Sequence, residues 1–167
     1  RLREELSISV NAQLSPELDV TRLAFELQPT RVTLIPPRWL GPSVVGGLDP
    51  FQLGDGLKAQ VAQLHEADIE VAVRVAPKLD LIKRLQRFDI DVLQLSTHEL
   101  MTSARGTAKR RHFKELTDAA LLASRLGFKV AVTGALDLAA VEQLSRLSQL
   151  SELHVGHALL SRSMLRV

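Results

Sequence analysis

Six short runs rich in Val, Ile and Leu recur along the chain: Leu6 to Ala12, Arg31 to Pro36, Ile69 to Ala76, Asp91 to Thr97, Lys129 to Ala135 and Glu152 to Leu159. Each has the length of a strand. The segments between them, Ser15 to Leu27, Gly54 to Ala67, Leu79 to Phe88, Thr107 to Leu126 and Leu136 to Leu147, return apolar residues three or four positions apart, the period of an amphipathic helix. Leu57, Val61 and Leu64 form one apolar stripe, and Leu116, Ala119, Ala120, Ala123 and Leu126 form another, as expected of helices lying on a sheet. Ser15 ahead of Pro16 reads as a capping hydroxyl before a first-turn proline, and Gly127 supplies a left-handed stop for the fourth helix. The nearly continuous apolar stretch around Val130 and Val132 suits parallel strands covered on both faces.

Strands alternating with helices through right-handed crossovers give either an open doubly wound sheet or a closed barrel, and periodicity does not separate the two. There is no Gly-x-Gly-x-x-Gly after a first strand and no Walker lysine loop, so the usual signatures of nucleotide-binding open sheets are missing and the barrel gains weight. A complete barrel takes eight strand-helix units over about 250 residues. The 167 residues here hold six strand-like runs, so the expectation is a single domain over residues 1–167: an incomplete, TIM-barrel-like parallel (β/α) repeat.

Composition removes several functions at once. Cys is absent, which excludes a disulfide framework, a thiolate metal site and a cysteine nucleophile. Twenty-one Lys and Arg against nineteen Asp and Glu leave a formal charge of +2, too small to imply a nucleic-acid partner. No apolar run approaches the roughly 18 to 20 residues that span a bilayer, so no membrane partner and a cytoplasmic location are expected. The chain starts on Arg1 directly before a strand-like run, which suggests a piece of a longer protein.

Three collinear stretches carry a resemblance. Leu34-Ile35-Pro36-Pro37-Arg38 followed by Val45-Gly46-Gly47-Leu48-Asp49, then Ala123 to Val130, then Glu152-Leu153-His154-Val155-Gly156-His157-Ala158-Leu159-Leu160-Ser161-Arg162, together resemble the pyridoxine 5'-phosphate synthase family, the barrel enzymes that close the pyridoxine ring of vitamin B6. The resemblance covers nearly the whole chain and implies that it matches the family's third to eighth strands. It also implies an activity: joining an amino-ketone phosphate to deoxyxylulose phosphate with loss of water and phosphate, by carboxylates and histidines that move protons.

Those proton carriers are replaced. By the resemblance, one family Glu falls on Val10, a second on Gln94, and the family's catalytic histidine on Gly134; the Thr-Glu pair ahead of Gly46 is replaced by Val44 and Val45. A hydrocarbon or an amide at such a position cannot act as a general base near neutral pH. The expectation is therefore a synthase-related protein without synthase chemistry that binds a phosphorylated metabolite or a protein partner, with no catalytic residues and no cofactor. What survives is a candidate anion site on backbone N–H groups at Gly134, Ala135, Gly156 and His157, able to take a phosphorylated small molecule or inorganic phosphate. The competing reading of these glycines is a pair of tight turns. A second function class keeps an active synthase whose missing groups lie outside this chain.

Arg105, Lys109, Arg110, Arg111, His112 and Lys114 form one dense basic stretch, but only Phe113 interleaves it, whereas base stacking needs several aromatics. It reads as a solvated helix start. None of the five histidines stands at metal-ligand spacing, so no metal site is expected. Trp39 after Pro36-Pro37-Arg38 reads as a packing anchor. The edges of an incomplete barrel invite pairing with another chain, so a homo-oligomer covering Leu6 to Ala12 is expected.

Overall fold

The computed structural model describes residues 8–37, 39–40, 43–44, 46–49, 51 and 54–165. In chain order its strands are β1 (Asn11–Leu14), β2 (Arg31–Leu34), β3 (Trp39–Leu40), β4 (Ser43–Val44), β5 (Glu70–Val75), β6 (Val92–Ser96), β7 (Lys129–Thr133) and β8 (Glu152–His154). The helices are α1 (Val20–Leu27), α2 (Gly54–Glu66), α3 (Leu79–Leu85), α4 (His98–Thr102), α5 (Thr107–Arg125), α6 (Leu138–Leu144) and α7 (His157–Leu165). Six strands make one sheet in the order β1-β2-β5-β6-β7-β8, with every neighbouring pair parallel. This is the expected barrel order. β3 and β4 form a separate antiparallel pair that the sequence pattern did not reveal.

The sheet is curled. Arg31 on β2 bonds Glu152 on β8 at 2.7 Å, although three strands lie between them. In a flat sheet with strands about 4.8 Å apart these residues would be about 19 Å apart, beyond the reach of any arginine. The outer face carries Val32, Leu34, Val71, Val73, Val75, Leu93, Leu95, Val130 and Val132, all in the main core with the predicted helix stripes Leu57-Val61-Leu64 and Leu116-Ala119-Ala120-Ala123. The inner face differs from the sequence expectation of two apolar faces. Asn11, Gln13, Arg31, Thr33, Glu70, Arg74, Gln94, Ser96, Thr133, Glu152 and His154 share its parity, with only Ala72, Val92 and Ala131 forming a small apolar cluster inside.

Several element bounds are narrower than the sequence runs. β1 begins at Asn11 and ends at Leu14, later than the Leu6 to Ala12 run, of which Leu6 and Ser7 lie outside the described residues. α1 is capped by Asp19, whose carboxylate accepts from Arg22 N, and not by Ser15; Ser15 to Leu18 form a turn ahead of it. The β8 run stops at His154 and the chain turns into α7 at His157, because Gly156 O takes the first helical bonds from Leu159 N and Leu160 N. Leu79 to Phe88 divides into α3 and a 3-10 turn at Gln86–Phe88. Gly127 closes α5 at φ +91°, as expected.

Gly47 has a steric role at the open end of the sheet. A Cβ there would overlap Ala76 N and Val75 C, and Leu48 N donates to Arg74 O at 2.7 Å. Only glycine lets the Gly46-Gly47-Leu48 loop press on the C-terminal end of β5.

Candidate functional site

The inner face is threaded by one polar chain running from the N-terminal to the C-terminal ends of the strands. At the lower end Arg31 donates from both terminal nitrogens to Glu152, at 2.7 and 2.8 Å, and from Nε to Glu70 at 2.5 Å. Lys129 donates to the other Glu70 oxygen at 2.6 Å. Arg31 is 15% exposed at its side chain, so its bonds are partly buried and charge-assisted, whereas the Lys129 bond lies at the exposed rim. Arg31 holds the Glu152 carboxyl down to about 2 by hydrogen bonding, while the Glu152 bond raises the Arg31 pKa and the Glu70 bond raises that of Lys129.

The chain continues upward through His154, whose Nε2 lies 2.9 Å from Glu152 and whose Nδ1 lies 3.1 Å from Gln94 Nε2. Arg74 Nε donates to Gln94 Oε1 at 2.7 Å and Arg74 Nη2 to Gln13 Oε1 at 2.9 Å. Arg74 fixes which end of the Gln94 amide is oxygen, so the amide nitrogen donates to His154 Nδ1 and the imidazole donates from Nε2 to Glu152. Gln94 is 1% exposed and Arg74 5%. Burial lowers the Arg74 pKa to about 10.

The sequence-predicted positions fall into three places. Gln94 lies in this chain of bonds. Val10 does not: it precedes β1, where its carbonyl accepts from Thr30 N and Arg31 N, and the β1 residues on the inner face are Asn11, bonded by Thr33, and Gln13, bonded by Arg74. Gly134, at φ +117°, follows β7 and is pinned by Thr97, whose Oγ1 donates to Thr133 O at 3.0 Å and also to Gly134 O. A Cβ at Gly134 would lie 3.3 Å from Thr97 Oγ1 and 3.4 Å from His98 N, so a larger residue there meets both positive φ and a close neighbour. Ala135 is also left-handed, at φ +51°.

Gly156 and His157 follow β8, so their turn neighbours the Gly134-Ala135 turn. Gly156 is not among the positive-φ residues, and a Cβ there meets nothing within 4 Å. Turn geometry therefore does not demand glycine at 156. Asp137 caps α6 by accepting from Ala140 N, which places a carboxylate beside the β7 turn. Val45 and the side chains of Trp39, Val44 and His157 lie outside the described residues.

Sequence reasoning passed over Gln13, Arg31, Arg74, Glu152 and the inward role of His154. Their signal was parity: Glu70 and Arg74, or Glu152 and His154, are an even number of residues apart in otherwise apolar strands and so share a face. In the basic stretch, Arg111 pairs with Glu115 and Lys114 with Asp118 along α5. Glu99, His112 and Glu115 bring three ligand-type atoms within 4.8 Å of one another, although Glu99 and Glu115 are exposed.

A curled six-stranded parallel sheet with alternating helices and polar side chains converging inside it defines an incomplete barrel-type (β/α) fold. The solved structure of a mutant tryptophan synthase alpha-subunit from Pyrococcus furiosus superposes with TM-score 0.61 at 16% identity, covering 95% of this chain and 60% of that one. The Amycolatopsis orientalis BexX/CysO complex gives 0.57 at 18%, covering 95% and 63%. At such identities these neighbours speak for the fold alone.

The chain belongs to the family described as Pyridoxal phosphate biosynthesis protein PdxJ, which it matches over residues 1–166. Pyridoxine 5'-phosphate synthases of Aliarcobacter butzleri and Wolinella succinogenes are 27% and 28% identical to it, covering 96% and 98% of this chain and 70% and 71% of theirs. That of Desulforapulum autotrophicum is 28% identical over 86% of this chain and 60% of its own length. The chain thus spans about 60–71% of the length of these relatives.

Proposed function

We propose that this protein is a PdxJ-family barrel that has lost synthase chemistry and binds a phosphorylated small molecule in the cytoplasm. The observation that carries the reading is the state of the inner face at the C-terminal strand ends. Gln94, where the family resemblance puts a carboxylate, gives its amide oxygen to Arg74 and its amide nitrogen to His154. An amide so engaged has no basic lone pair to offer a substrate proton. The β1 residue beside it, Gln13, is also an amide. Gly134, in place of a histidine, sits in a turn closed by Thr97.

Phosphate would sit on the backbone of the β7 and β8 turns, Gly134-Ala135 and Gly156-His157. The nine-residue helix α7 offers its positive end there, whereas the start of α6 already faces the Asp137 carboxylate. A second copy of the chain would cover the β1 and β8 edges, each of which has one strand neighbour among the described residues; exposed Phe25, Leu27, Leu159, Leu160 and Met164 belong to the units flanking these edges.

Incubating the purified protein with the amino-ketone phosphate and deoxyxylulose phosphate tests the reading. No pyridoxine 5'-phosphate and no phosphate release are expected. Turnover by the chain alone would overturn it. The alternative, an active synthase completed by residues beyond this chain, draws on the 60–71% length ratio, and predicts turnover only in a longer protein.

A further inference from the structure

We infer that the inner end of the half-barrel holds a second anion site, centred on the Arg74 guanidinium and distinct from the backbone turns after β7 and β8, that takes a carboxylate or phosphate oxyanion. Arg74 is 95% buried. Its partners are two neutral amides, Gln94 and Gln13, and it makes no ion pair among the described residues. An arginine does not shed its proton in a protein, so the charge stays, and a buried charge without a counter-charge is costly.

Among the described residues the other inward cations are answered. Arg31 faces Glu152 and Glu70, and Lys129 faces Glu70. Three cationic side chains, Arg31, Lys129 and Arg74, thus share two carboxylates, Glu70 and Glu152, and the cation without one is Arg74. Arg74 Nη1 and Gln13 Nε2 have no hydrogen-bond partner among the described residues, and Gln13 is exposed, so two donors lie at the solvent side of the group. Ser96 and Thr133, the next inward positions toward the C-terminal ends of β6 and β7, add hydroxyls beyond them. A planar guanidinium with a free terminal nitrogen is suited to a carboxylate or phosphate. A carboxylate at position 94 would neutralise Arg74 from within; the amide leaves the charge available.

An anion bound only by the folded state raises the unfolding temperature. Thermal unfolding is measured in sodium phosphate, sodium acetate and sodium chloride at matched ionic strength, for wild type, Gln94→Glu, Arg74→Met and Gly156→Val. The wild-type Tm is expected to rise by several degrees in phosphate, acetate or both relative to chloride; which salt acts tells a tetrahedral from a planar oxyanion. Gln94→Glu keeps the interior filled and supplies a permanent counter-charge, so it should lose that rise while gaining Tm in chloride. Arg74→Met should lose the rise too; if it does not fold, Gln94→Glu carries the test. Gly156→Val should retain the rise. A rise retained in Gln94→Glu but lost in Gly156→Val overturns the Arg74 site and leaves the turn site standing. A rise lost in Gln94→Glu and retained in Gly156→Val does the reverse. No anion-specific rise in wild type overturns both.

Discussion

Glu152→Gln keeps the shape of a side chain at the lower end of the inner polar chain and removes its charge. Arg31 holds the Glu152 carboxyl at about 2, against an ordinary value of 4.5. At about 1.4 kcal/mol per tenfold this corresponds to about 3 kcal/mol of preference for the ionised form in the folded state. Glu152 is 35% exposed at its side chain, so solvent screening reduces the contribution to about 1–2 kcal/mol. The sign follows from the lowered value. The contribution is complete above the unfolded carboxyl's titration, at about pH 5 and higher, and is lost as the pH falls toward 2. Urea unfolding of both proteins at about pH 7 should place the variant about 1–2 kcal/mol below wild type. Repeated down to about pH 2.5, the gap should shrink progressively as the wild type loses its ionic contribution. Other carboxylates titrate in both proteins and cancel in the difference. A gap of the same size at both ends of the range would show that Glu152 acts through packing or neutral hydrogen bonding, and the electrostatic account of the lower end would fall.

Gly47→Ala should destabilise the fold by about 3 kcal/mol or abolish soluble expression, since its Cβ would overlap the β5 backbone at Ala76 N; chemical denaturation reads it, and wild-type stability would mean the loop does not lie there. At the two candidate phosphate turns, Gly134→Ala should cost about 1–3 kcal/mol while Gly156→Ala changes stability by less than about 1, because only Gly134 combines positive φ with close neighbours; equal effects would contradict that difference. Leu93→Ala removes a fully buried side chain from the outer face of β6 and should cost about 2–5 kcal/mol in the same assay; a loss under about 1 would mean the sheet-helix core is not packed as described.

The element pattern of this protein is local information. Strands of β-branched and aliphatic residues, helix stripes such as Leu57-Val61-Leu64 and the stop at Gly127 each follow from contacts within a few residues, and the parallel order follows from their alternation with helices. Gln94 was legible as a candidate through its family resemblance. The ends of β1 and β8 were not, because apolar character continues past the last ladder bond: Val10 looks like strand but lies before it, and Ala158 and Leu159 look like strand but lie in α7. Curling of the sheet decided the rest. It brings Arg31 to Glu152 across three strands, partners 121 residues apart, and Arg74 to Gln13 across one strand, 61 residues apart, while Arg74 and Gln94 meet as register partners on β5 and β6. Strand parity determines which residues face inward; strand pairing and the curvature of the half-barrel determine which of them meet, and so why one buried arginine has no counter-charge among the described residues.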